Sequence, residues 1–273
     1  MPSVPIILHL RHGLLGAVIV LLLLVPACTS DDPSASEENA GAVSADSILA
    51  EAISAHGGDV IDTSVVAFTF RGARFRLFHD HGRFRYERAF IDTTGRRVRD
   101  VLSNDSLYRT VDGQVVDLTD DERGAVNTAV NSVAYFALLP YKLSDPAVNA
   151  RRLGIDTVRG APYHRVEVTF AREGGGQDWQ DRFVYWFDTS DRSMDFLAYA
   201  YGLGGEEEPG HRFREAYNVR RVDGVRMADD LNFTDSTITP STIESYPDRF
   251  GEASLEEVSR VELDSIDVRP TPR

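Results

Sequence analysis

Lys142 is the only lysine in a chain of 273 residues that carries 28 arginines. It lies in "YFALLPYKLSDPAVN" (135–149), the most apolar stretch after the first 27 residues. An amine held in apolar surroundings loses its proton more readily, which is what a Schiff-base nucleophile needs. Tyr141 beside it could assist proton transfer. The competing reading is plain. Pro140 should end a helix there, and a lysine at that turn can snorkel over apolar surface with its amine in water. A second cluster is "HDH", in which His79 and His81 share a face if a strand runs through them. With His164 or His211 they could form a metal site. However, "DHG" reads as a hairpin turn, where histidines are solvated, and no cysteine or third ligand stands at diagnostic spacing. No metal and no cofactor is expected.

Further possibilities fall away on charge and context. Arg74, Arg76, Arg83 and Arg85 alternate with aromatic and aliphatic residues, a pattern that nucleic-acid surfaces share. The formal net charge of −14 argues against a nucleic-acid partner. These arginines read instead as the outer face of strands, paired across the ladder with Asp and Glu. The loop "GLGGEEEPG" contains Glu206, Glu207 and Glu208, which repel phosphate, and it opens no helix. "REGGGQDWQD" is a similar loop, with Trp179 at its lip. No G-x-S-x-G, H-E-x-x-H or paired-cysteine motif is present. Glu87, Glu215 and Asp229 read as structural carboxylates, with ten tyrosines and many arginines in the chain to partner them.

The elements that must position these residues are mostly strands. "SADSILAEAISAHGG" predicts a helix capped by Ser44 and stopped at Gly57. Short strands from "VVAFTFR" to "QVVDL", separated by "DHG", "DTTG", "SND" and "DG", predict an antiparallel meander. Thr119 and Glu122 form a capping box for a second helix with Ala125, Val126, Ala129, Val130, Val133 and Ala137 on one face. Pro140 ends that helix, and "SDPAVN" predicts a further helical turn. Strands then continue to the C-terminus, and "FVYWF" and "FLAYAY", apolar on both faces, should be central. The lack of repeated strand–helix alternation argues against a Rossmann fold or β/α barrel. The expected class is α+β: a long curved antiparallel sheet, an unclosed half-barrel, with two to three helices on its concave face.

The N-terminus reads as an export signal. Residues 1–27 carry Arg11, an apolar run too short to span a bilayer, and small Ala27 before Cys28. "LVPAC" resembles a bacterial lipobox, in which the cysteine is diacylated. A lone cysteine in an exported chain cannot close an internal disulfide, and acyl chains at about 0.8 kcal/mol per CH₂ would anchor it. Residues 28–43 read as a lipidated disordered tether, and 44–273 as a single domain. Loss of residues 1–27 leaves a charge of −15.

The lipobox, the "ILAEAISAHGG" helix, the mid-chain helix ending "YFALLPYKLSDPAV", and "DRFVYWFD" and "HRFREAYN" together resemble an uncharacterised family of bacterial secreted lipoproteins. The resemblance covers nearly all of the mature chain. Its architecture is similar to the lipoprotein-carrier, LolA/LolB-like half-barrels, in which an unclosed sheet wraps an apolar cavity lidded by helices. No carrier-specific binding residue maps onto a position here. The resemblance implies a lipid-anchored, non-enzymatic envelope protein on the periplasmic or cell-surface side. It would be a monomer that holds an apolar or amphiphilic ligand, a lipid or lipoprotein acyl chain. Candidate lining or lid residues are Phe68, Phe70, Phe75, Leu77, Phe84, Tyr86, Phe136, Leu139, Tyr141 and Trp186. The alternatives are a Schiff-base enzyme using Lys142, and an envelope scaffold with a filled core.

Overall fold

The computed structural model describes residues 43–176, 178–205 and 208–272. The expected signal segment, Cys28 and the tether up to residue 42 lie outside the described residues, as do Glu206 and Glu207 of the acidic loop. Helix α1 (Ala45–Ala55) begins where the Ser44 hydroxyl accepts the Ser47 N–H at 3.1 Å, satisfying a first-turn donor that has no partner within the helix. Its stripe of Ile48, Leu49 and Ala52 is buried. Gly57, at φ 87°, separates it from the single turn α2 (Gly58–Ile61). A Cβ at Gly57 would lie 2.5 Å from the Gly224 carbonyl oxygen, so only glycine lets the helix end come this close to the neighbouring turn.

Six strands follow as a meander: β1 (Ser64–Phe70), β2 (Ala73–Asp80), β3 (Arg83–Ile91), β4 (Arg97–Ser103), β5 (Leu107–Val111) and β6 (Gln114–Val116). Helix α3 (Asp120–Ala137) then opens with the reciprocal capping box, Glu122 N–H to Thr119 Oγ1 at 3.3 Å and Thr119 N–H to Glu122 Oε2 at 2.8 Å. Val126, Val130 and Ala134 form its buried stripe, whereas Ala125 is exposed. The second set of strands is β7 (Val148–Val158), β8 (Ala161–Phe170), β9 (Arg182–Asp188), β10 (Met194–Tyr201), β11 (Gly210–Val222) and β12 (Val225–Thr234). Helix α4 (Tyr246–Gly251), β13 (Glu256–Val261) and β14 (Asp264–Pro270) complete the chain.

All pairings are antiparallel, and the strands form two unclosed sheets of seven, where the sequence suggested one long sheet. The first has the order β14-β1-β2-β3-β4-β5-β6, the second β13-β12-β11-β10-β9-β8-β7. The chain crosses from the first to the second between β6 and β7, through α3, and returns between β13 and β14. Helix α3 packs against both. Val130, Ala134 and Leu138 join the core of the first sheet, while Tyr135 and Phe136 join a core of α1, β8, β9 and β10. β9 and β10 lie inside their sheet and are apolar on both faces, as their sequence predicts.

Two local details differ from the sequence reading. The helical turn after Pro140 occupies Tyr141–Ser144, not "SDPAVN". The Asp145 carboxylate accepts the Ala147 N–H at 2.9 Å, a local turn that leads the chain straight into β7. Helix α4, which the sequence reading leaves out, covers the second sheet on the face away from α1 and α3. Its Tyr246 and Phe250 pack on Phe213, with ring centroids at 5.3 and 5.2 Å. Six residues carry too little helix propensity to be read alone, so packing makes this helix.

Candidate ligand-binding site

Between α3 and strands β10–β13 lies a cavity of about 380 Å³. Its two sides have opposite chemistry. The α3 side is mostly apolar, with Val133, Phe136 and Ala137 beside Ser132, Leu139 after the helix and Phe70 at the end of β1. Leu197 and Met194 of β10 add apolar groups from the second sheet. The floor is the inward face of β11–β13, and the strand period of two sets which residues reach it. Arg212, Arg214 and Ala216 project from β11, Ala228, Asp230 and Asn232 from β12, and Ser259 and Val261 from β13. Register then places them in rows. Leu197, Arg214, Asn232 and Ser259 stand opposite one another across four strands, and Ala216, Asp230 and Val261 form the next row.

Arg214 is the central cation. It is 8% exposed, with its guanidinium over the Phe136 ring at 4.0 Å and the Tyr199 ring at 5.2 Å. One terminal nitrogen donates to the Tyr199 hydroxyl at 3.3 Å. Asp230 approaches to 3.6 Å, an ion pair longer than a hydrogen bond. Burial pushes the Asp230 carboxyl up to about 6, with Asp229 adding to the rise and Arg214 and Arg226 opposing it. At the cavity's end, His56 is buried and its imidazole is pushed down to about 4 by desolvation and then by Arg226. Its Nδ1 lies 2.8 Å from the Ala52 carbonyl oxygen, so that nitrogen carries the proton. Nε2 is then the acceptor for the Met194 N–H and for Arg226, both at 3.3 Å. Arg226 is also held by Asp195 at 2.8 Å.

The residues picked out from the sequence divide among three places. Phe70, Phe136 and Leu139 line the cavity. Phe68, Phe75, Leu77 and Tyr86 lie in the core between α3 and the first sheet, each 2% exposed or less. Phe84 packs beside Tyr86 at 4.7 Å, and the Tyr141 hydroxyl donates to Asp62 at 2.9 Å. Trp186 lies on the α4 side of the second sheet, where its indole N–H donates to Asp156 at 3.1 Å.

Lys142 is half-buried rather than laid out at a turn. Its amine donates to the Tyr86 hydroxyl at 3.3 Å and faces the Phe84 and Tyr86 rings at 6.0 and 5.6 Å. Desolvation lowers its pKa. His79 also reaches the Tyr86 hydroxyl, at 2.9 Å, and is buried instead of lying in the solvated turn expected for it. Burial, with Lys142 adding to the effect, pushes its imidazole down to about 4. His81 does occupy the turn, exposed, 3.2 Å from Asp62. Among the described residues no cluster of His, Cys, Asp and Glu could hold a metal ion. The carboxylates read as structural have arginine partners: Glu87 with Arg99 at 2.7 Å, Glu215 with Arg159 at 2.6 Å and Asp229 with Arg220 at 2.9 Å.

The cavity's polar floor was missed from the sequence. "HRFREAYN" alternates Arg212, Arg214 and Ala216 with Phe213, which is also how a strand with a wet outer face reads. The one signal available was that Ala216 and Ala228 are small where a filled core needs bulk.

A LolA superfamily protein from Nitrosomonas europaea is similar in structure, with 14% identity, 85% of this chain and 96% of that chain covered, and a TM-score of 0.46. A DUF1329 family protein from Desulfovibrio piger is similar at 11% identity, covering 82% of this chain and 91% of that one, with a TM-score of 0.43. No curated protein matches. The sheet topology itself establishes the α+β, antiparallel and unclosed fold, and these distant likenesses say nothing about what the cavity holds. In sequence the match is direct: over residues 33–263 the chain belongs to DUF6503, a family of unknown function.

Proposed function

We propose that this chain is a lipid-anchored protein of a bacterial cell envelope that holds an apolar or amphiphilic ligand, such as a lipid or a lipoprotein acyl chain, in the cavity beneath α3. The observation that carries the reading is the cavity itself. Its volume of about 380 Å³ falls within the roughly 300–1,000 Å³ of small-molecule sites, and Phe70, Val133, Phe136, Ala137 and Leu139 give it an apolar side. Apolar burial at about 25 cal/mol per Å² supplies the affinity for a hydrocarbon chain. Cys28 would carry the anchor, residues 29–43 would tether the folded part, and the protein would act as a monomer. Lys142 is not among the residues that line this cavity, so the Schiff-base alternative has no substrate space there.

The test uses the chain from residue 29 onward, which keeps every core described above. Native mass spectrometry should show a co-purifying lipid, or a complex with added dodecanol. Ala228→Leu, which fills the cavity from its floor, should abolish it. If the wild-type chain carries no lipid and takes up no alkyl probe, the proposal fails.

A further inference from the structure

We propose that the cavity's ligand is an anionic amphiphile, its acidic head held by Arg214 with Asn232 beside it and its chain under α3. This rests on the ligand-binding reading above and adds the head's chemistry. The first observation is an open valence. Arg214, 8% exposed, presents five N–H donors in a planar fork, yet its Nε–H has no acceptor among the described residues. The Tyr199 hydroxyl and Asp230 each approach a terminal nitrogen, and neither meets Nε. The fork edge formed by Nε and a terminal nitrogen is the edge that receives a carboxylate, phosphate or sulfate through two parallel hydrogen bonds.

The second observation is independent of the first. Asn232, directly opposite Arg214 in register and 7% exposed, donates Nδ2 to the Ser259 hydroxyl at 3.0 Å and leaves Oδ1 without a partner. Rotating the amide by half a turn lets its oxygen accept from Ser259 and turns an N–H donor to the cavity. Two neighbouring side chains, each more than nine-tenths buried, therefore line the same cavity with unmet hydrogen-bonding capacity. Of the buried side-chain atoms without a partner among the described residues, these two are the ones that belong to cavity-lining side chains, and a bound polar head would pair both at once.

The charge balance agrees. The chain as a whole is at −14, whereas the cavity is lined by Arg71, Arg212, Arg214 and Arg226 against the single acid Asp230. Arg226 is engaged by Asp195, which still leaves the lining cationic. An acidic protein with a basic cavity selects anions inside while repelling them elsewhere.

The experiment compares probes with one chain and different heads on the chain from residue 29: dodecanoate, dodecyl sulfate, dodecanol and dodecyltrimethylammonium, with inorganic phosphate as a headgroup without a chain. Calorimetry or displacement of a fluorescent alkyl probe reads affinity. The two anions should bind at least about tenfold more tightly than dodecanol, as a two-pronged charge-assisted contact requires. Arg214→Met should remove that preference, so that the two anions and dodecanol bind within about twofold of one another. Equal binding of dodecanol and dodecanoate to the wild type overturns this inference and leaves the ligand-binding proposal standing. Failure of every alkyl probe overturns both. Phosphate binding as tightly as dodecyl sulfate makes the site a plain anion site and overturns the amphiphile. Should Arg214→Met not fold, Asn232→Leu and the wild-type head series decide the matter.

Discussion

Helix α3 is flanked by two sheets built on the same strand period, and it packs differently on each. Toward the first sheet, the inward row of Val66, Leu77, Tyr86 and Leu102 meets the helix with large side chains. Toward the second, the corresponding row of Leu197, Arg214, Asn232 and Ser259 is largely polar, and Ala216 and Ala228 nearby are small. The first flank is filled and the second holds a cavity. The backbone does not differ in kind between them. The contrast lies in side-chain volume and polarity at alternating positions, because interiors are close-packed only where the sequence supplies bulk.

Breaking the contrast from the filled side should have the largest effect. Phe75→Ala, which removes a ring stacked at 5.4 Å on Phe68, should cost about 3–5 kcal/mol. Ala228→Leu on the open side should cost less than about 1 kcal/mol, since the added methylenes enter empty space. Urea denaturation of both variants measures the difference, and equal losses would erase the distinction between the flanks.

Next comes Asp230, whose carboxyl ionises at about 6 in the folded chain and near 3.9 when unfolded. Between those values the folded state holds the extra proton, so this group's contribution to stability falls as pH rises from about 4 to 6 and stays low above. Asp230→Asn should therefore match the wild type below pH 4 and exceed it by about 1–3 kcal/mol at pH 8. A gain that is the same at both ends of the range would show that the carboxyl is not strained by burial. The smallest expected effect is at Lys142. Lys142→Met keeps the stem's packing and loses one long hydrogen bond to Tyr86, so stability should change by less than about 1 kcal/mol. A larger loss would mean that the amine organises His79 and Tyr86.

Local rules carried most of the fold into the sequence. The Ser44 cap, the Thr119–Glu122 box, the Gly57 stop and the central position of β9 and β10 all follow from neighbours a few residues apart. The site was less legible. Phe70, Phe136 and Leu139 stood out as large apolar groups at regular spacing, but so did Phe68, Phe75 and Leu77, and periodicity does not tell a cavity wall from a packed core. His79 read as a turn residue because "DHG" marks the hairpin, yet the strand runs on through Asp80 and carries its imidazole inward to Tyr86.

What the sequence determined by itself was the antiparallel strand pattern, the helix ends and the acidic surface, since each depends on local propensity, spacing or summed charge. What only the tertiary structure decided was which polar strand face would be covered. Arg212, Arg214, Asp230 and Asn232 follow the same alternation as solvent-facing residues, and they become a cavity floor only because α3 lies over them. Burial is a property of what packs above a strand, and that partner lies about a hundred residues away in the chain.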